Sequence, residues 1–206
     1  MIIIGEKING SIPAVADAIA RRDGEFIKER ARMQDEAGAT YIDCCASVPE
    51  EQEAETLKWM IDCIQEVSDL PISVDSPSAE VLAQVFPYCK RPGLINSVSG
   101  EGNKMDVLFP LIADTKWEVI CLLSDDTGIP KCAADRLRVF DNIMAKAKEY
   151  GIPENYAKRC AIKDDEDLDA YFKDLKQEFA NDGFKGVTLP NQRKRRLRKN
   201  LNLSPR

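Results

Sequence analysis

Short apolar runs alternate along this chain with longer stretches in which apolar positions recur every three or four residues. The runs Ile2–Ile4, Thr40–Asp43, Ile72–Asp75, Leu94–Asn96 and Val119–Leu123 predict strands, with weaker runs near Ala161–Ile162 and Gly186–Leu189. Between them, Leu57, Met60, Ile61 and Ile64 follow the i, i+3, i+4, i+7 spacing, as do Leu168, Tyr171, Phe172 and Leu175. Each set predicts one buried stripe on an otherwise polar helix. Leu137, Phe140 and Met144 make a looser version within Cys132 to Glu149, a helix expected to stop before Gly151 and Pro153. Strand spacings of roughly 22 to 40 residues, filled by helices, are the βα repeat of a parallel sheet. A barrel and an open doubly wound sheet both fit. No Gly-x-Gly-x-x-Gly follows a strand and no phosphate loop is present, which weighs against nucleotide-binding open sheets. The expected class is therefore α/β, a TIM (β/α)8-type barrel. Such barrels typically need about 250 residues, so 206 residues predict one that is incomplete at the C-terminus.

Three of the strand runs end in polar groups: Tyr41-Ile42-Asp43, Ile72-Ser73-Val74-Asp75-Ser76 and Leu94-Ile95-Asn96-Ser97. Parallel strands deliver their C-terminal ends to one rim, where barrel and doubly wound enzymes carry their chemistry. Two acids and a carboxamide, in a chain with no histidine, suit recognition of a flat, donor-rich heterocycle better than proton shuttling by imidazole. Each group also has a plainer reading. Asp75-Ser76-Pro77-Ser78 has the composition of a helix start, Asn96-Ser97 shares it, and Asp125-Asp126-Thr127-Gly128 is a turn composition. Asp43 is evenly balanced between framework and ligand, and Glu6 and Asn9 read as framework at the first strand.

Composition bounds the setting. The chain is 44% hydrophobic, enough for one core, and is read as one domain over residues 1–190 with a basic tail at 191–206. Seven Lys or Arg and no acid lie between Arg193 and Arg206, leaving 22 bases against 35 acids, a net charge of −13, on the rest. That acidic body argues against nucleic-acid binding by the domain and leaves the tail as the one place for an anionic partner. Seven scattered cysteines show no Cys-x-x-Cys spacing, so neither a disulfide framework nor a metal site is expected. No signal-peptide pattern and no long apolar segment is seen, so a cytoplasmic protein without membrane contact is expected.

Ile3-Ile4-Gly5-Glu6-Lys7-Ile8-Asn9-Gly10, then Asp43, Val74-Asp75-Ser76, Ile95-Asn96-Ser97, Leu108-Phe109-Pro110-Leu111 and Asp125-Asp126-Thr127-Gly128-Ile129-Pro130-Lys131 fall in a recognisable order. From Met1 to about Pro153 the chain resembles the methyltetrahydrofolate:corrinoid/iron-sulfur protein methyltransferase family, relatives of the folate domain of cobalamin-dependent methionine synthase and of dihydropteroate synthase. The resemblance implies a TIM barrel that moves the N5 methyl group of methyltetrahydrofolate to the cobalt of a cobalamin-type corrinoid on a partner protein. It implies pterin binding by Asp75 and Asn96, with Asp43, Asp125 and Ser76 as further candidates, and a homodimer. Departures are also visible. Cys160 stands where the family has an Asp after the sixth strand, Cys45 where it has an Asn, and Phe184 where it has the Asn that orients reaction at N5. A catalytically impaired or truncated pterin-binding homologue without methyl transfer is therefore the alternative expectation. Dihydropteroate synthase itself is disfavoured, because its Ser-x-Arg-Pro-Gly loop belongs after the second strand, whereas Arg91-Pro92-Gly93 precedes the fourth.

Overall fold

A computed structural model describes residues 2–152 and the backbone of 157–160. Six strands form: β1 (Ile4–Asn9), β2 (Tyr41–Cys45), β3 (Ile72–Asp75), β4 (Leu94–Gly100), β5 (Glu118–Asp125) and β6 (Ala157–Cys160). All pair in parallel and in sequence order, with no point among them where the order reverses. Crossovers that always step the same way wrap a sheet, whereas a doubly wound sheet needs a reversal. A hydrogen bond reports the curvature directly. Tyr41 Oη on β2 donates to Glu118 Oε2 on β5 at 2.9 Å. Those strands are three places apart, about 14 Å in a flat sheet, so the face carrying both side chains is concave. The fold is α/β and of the TIM-barrel type.

Helices α1 (Pro13–Arg21), α2 (Gly24–Glu36), α3 (Glu50–Gln65), α4 (Ala79–Val85), α5 (Lys104–Ile112) and α6 (Ala133–Glu149) fill the connections. Outward-facing Ile42, Cys44, Val74, Ile95, Val119 and Cys121 are all buried beneath them. The predicted α3 stripe of Leu57, Met60, Ile61 and Ile64 is fully buried, and each such side chain contributes about 1.5–3 kcal/mol. Gly93 enters β4 so close to β3 that a Cβ there would stand 2.0 Å from the Ile72 carbonyl oxygen. Among the described residues no helix is long and apolar enough to cross a membrane.

Some expectations move. β1 starts at Ile4 and runs on to Asn9, because pairing with Tyr41–Cys45 continues past a bulge between Gly5 and Ile8. Helix α6 forms, but its buried line is Arg136, Val139, Ile143 and Ala147, while Leu137 is 58% exposed. Leu137 lies one position, about 100° of helix, off the line that faces the sheet, and Val139, Ile143 and Ala147 fill that contact. β6 lies just before the run expected near Ala161–Ile162. Helices α1 and α2 escaped the pattern because alanines and Gln34 supply much of their buried faces. The stripe from Leu168 to Leu175, the run Gly186–Leu189, Phe184 and the basic tail lie outside the described residues.

Candidate functional site

Register and alternation bring the polar strand ends together. Asp43 stands opposite Ser73, and one step nearer the rim Asn9, Cys45, Asp75 and Asn96 form a row across four strands. Because the alternate positions face the helices, these groups face the concave side. Asp43 is 1% exposed, and its Oδ1 accepts from Ser73 Oγ at 2.7 Å and from Asn96 Nδ2 at 3.2 Å. Asp75 and Asn96 are half-buried. Cys45 sits beside the Asp75 carboxylate with a hydrogen bond to it. Its Sγ also lies 3.3 Å from Ser47 Oγ, which in turn donates to Asn9 Oδ1 at 3.4 Å.

The electrostatics are one-sided. Burial pushes the Asp43 carboxyl up to about 7, and the Asp75 carboxylate and, more weakly, Glu6 add to this, while the Ser73 and Asn96 hydrogen bonds pull the other way. Burial also raises Asp75, opposed by the Cys45 hydrogen bond and reinforced by Glu6. Burial holds the Cys45 thiol up at about 12, so it serves as a donor and not as a nucleophile. Two carboxyl groups and an amide crowded without an adjacent cation among the described residues favour a ligand that brings N–H donors.

The other two candidates, Ser76 and Asp125, make bonds of their own elsewhere on the rim. Ser76 Oγ accepts from the Ser78 N–H at 3.1 Å, and Ser76 hydrogen-bonds Glu53 of α3. Ser78, not Asp75, caps α4 by accepting from the Val81 N–H at 3.3 Å, which leaves the Asp75 carboxylate facing the mouth. Asp125 accepts from Thr127 Oγ1 at 2.5 Å, the Thr127 N–H at 3.0 Å and Arg138 Nη1 on α6 at 2.9 Å. These bonds hold its carboxyl below the usual carboxylate range and tie it to the helix side. A cavity of about 570 Å³ opens over the loops after β2, β3 and β4, lined in part by Cys45, Glu53, Ser78, Glu101 and Lys104. Ser73 and Cys45 were missed in the sequence as site residues, although strand alternation alone puts them on the faces of Asp75 and Asp43. Glu6, read as framework, lies close enough to bias both acids. Cys160 ends β6 at the register position of Leu122. No cluster of three or more potential metal-ligating side chains occurs among the described residues.

Comparison with known proteins adds to this geometry. A family profile described as pterin binding enzyme matches residues 13–156. The methylcorrinoid:tetrahydrofolate methyltransferase of Eubacterium limosum is 51% identical over 157 residues, 75% of this chain and 58% of that protein. The chain thus spans under two thirds of that relative's length. Among solved structures, dihydropteroate synthase of Xanthomonas albilineans in complex with 7,8-dihydropteroate superposes with a TM-score of 0.58 at 19% identity, covering 85% of this chain and 66% of that one. Dihydropteroate synthase of Vibrio fischeri gives 0.60 at 16% identity, covering 85% and 69%. At those identities the likeness is one of fold.

Proposed function

This chain belongs to the pterin-binding enzyme family, and from that premise we propose that it holds a reduced pterin at Asp75 and Asn96 and moves a methyl group between tetrahydrofolate and a corrinoid carried by a partner protein. The observation that carries the reading is the half-buried Asp75–Asn96 pair on adjacent strands, backed by Asp43, in a chain 51% identical over 157 residues to a protein named for that transfer. The Asp75 carboxylate accepts from the amidine-like N–H edge of the ring, and Asn96 offers its amide to a neighbouring edge. Ser76 and Asp125 enter by fixing the loops around that edge.

The relative's name puts methylcorrinoid first. In that direction the N5 lone pair takes the methyl group, the cobalt keeps the electron pair of the broken bond, and N5 gives up its proton. In the opposite direction, the one expected from the sequence, N5 must regain a proton as the methyl leaves. Both directions cross one transition state, so the same side chains serve both. The corrinoid is a visiting substrate in this reading, and a cytoplasmic homodimer remains part of the proposal.

A second reading is favoured by Cys160 at the end of β6: pterin binding without methyl transfer. Anaerobic calorimetric titration with tetrahydrofolate, followed by a transfer assay with a methylated corrinoid protein, separates the two. Binding with transfer supports the first reading, binding alone the second, and a folded protein that does not bind tetrahydrofolate sinks both.

A further inference from the structure

The Asp43 side chain touches no open surface, yet it receives the amide of the residue proposed to meet the ring. An ionised carboxylate has no proton to donate, so whatever lies against it must present a donor. With Asp43 ionised, the Asn96 amide has to turn its NH2 inward and its carbonyl oxygen toward the concave face. Ser73 Oγ donates to the same Asp43 oxygen and holds it in place. A protonated Asp43 is different, because its O–H can donate to the Asn96 carbonyl and so support the reversed amide, with NH2 outward.

We propose that Asp43 is a positioning residue whose protonation state selects which end of the Asn96 amide is presented to the ligand, so that the site accepts an N–H edge only while Asp43 is ionised. The inference rests on the pterin reading of Asp75 and Asn96, and sharpens it into a ring face that is read as a donor. Among the described residues, the groups that bear on Asp43 are Asp75 and Ser73 from β3, Asn96 from β4, Glu6 from β1 and its own neighbours Cys44 and Cys45. Asp75 and Glu6 are its acidic neighbours among the described residues, and both favour the proton. The position of Asp43 near neutrality puts the switch within an accessible pH range. A ligand that supplies N–H donors favours the ionised form, so binding would release a proton from Asp43.

The test is anaerobic titration of the full chain with tetrahydrofolate between pH 5.5 and 8.5, on the wild type, Asp43→Asn and Ser73→Ala. Wild-type affinity is expected to fall about tenfold on acidification, the scale of one mismatched hydrogen bond, with an inflection near neutrality. Asp43→Asn removes the inflection that belongs to Asp43. Ser73→Ala, which deletes a donor that favours the ionised form, moves the inflection to higher pH. The Asn96 side-chain NH2 resonances follow the same inflection in the wild type and lose it in Asp43→Asn, a readout independent of affinity. An inflection that persists in Asp43→Asn, or does not move in Ser73→Ala, overturns the proposal while leaving pterin binding intact. Absence of tetrahydrofolate binding by the folded wild type at every pH overturns the pterin reading and this inference with it.

Discussion

Replacing Asp43 by Asn should change how stability depends on pH in a defined direction. Asn is nearly isosteric and keeps one oxygen to accept from Ser73 and Asn96, but it cannot ionise. In the unfolded chain the Asp43 carboxyl titrates near 3.9; folded, it titrates at about 7. Between those values the folded protein binds the proton and the unfolded chain does not, so wild-type stability is greatest below the lower value. It is lost as the pH rises through the higher one, at up to about 1.36 kcal/mol per pH unit. The full interval sets a ceiling of about 4 kcal/mol for a group with 1% exposure. Urea unfolding of wild type and Asp43→Asn at pH 5 and pH 8 gives four free energies. Their double difference cancels any pH-independent repacking at the site. From pH 5 to pH 8 the variant should gain about 1–3 kcal/mol on the wild type, because it lacks the carboxylate that must be ionised in a buried site beside Asp75. Parallel pH profiles for the two proteins would refute the reasoning, since they would mean that Asp43 titrates alike folded and unfolded.

Three further outcomes follow from the same geometry. Asp75→Ala should weaken tetrahydrofolate binding by about 1.5–3 kcal/mol, the loss of a charged hydrogen-bond partner, in calorimetric titration. Asp125→Ala should leave that affinity within about twofold while lowering stability slightly in urea unfolding, because its bonds run to Thr127 and Arg138 on the helix side; an affinity loss as large as that of Asp75→Ala would place it in the ring-binding set. Met60→Ala, at a fully buried position of α3, should cost about 2–5 kcal/mol in urea unfolding, with binding by the folded fraction unchanged.

The βα alternation, the parallel sheet and the strand ends that carry Asp43, Asp75 and Asn96 were legible in the sequence, because strand length, helix periodicity and apolar runs are local properties. The α3 stripe was legible for the same reason. The α6 stripe was not: Leu137 is as apolar as Val139, and only packing against β4 and β5 decides which line of a helix is buried. Period-two alternation could have paired Ser73 with Asp75 and Cys45 with Asp43, but a strand's two faces are equivalent until something covers one of them. Register is likewise invisible locally. That Asp43 meets Asn96, 53 residues away, depends on two strands pairing with β3 in particular steps, which hydrogen bonding across the sheet fixes. Residue type alone also leaves the fate of each acid open. Asp75 and Asp125 are the same side chain at the same end of parallel strands, yet alternation and the bulged ladder between β4 and β5 turn Asp125 toward Arg138 on α6. The sequence by itself determined which chemistry reaches the rim. The tertiary structure decided which groups face one another there, because burial and neighbouring charge act through space and not along the chain.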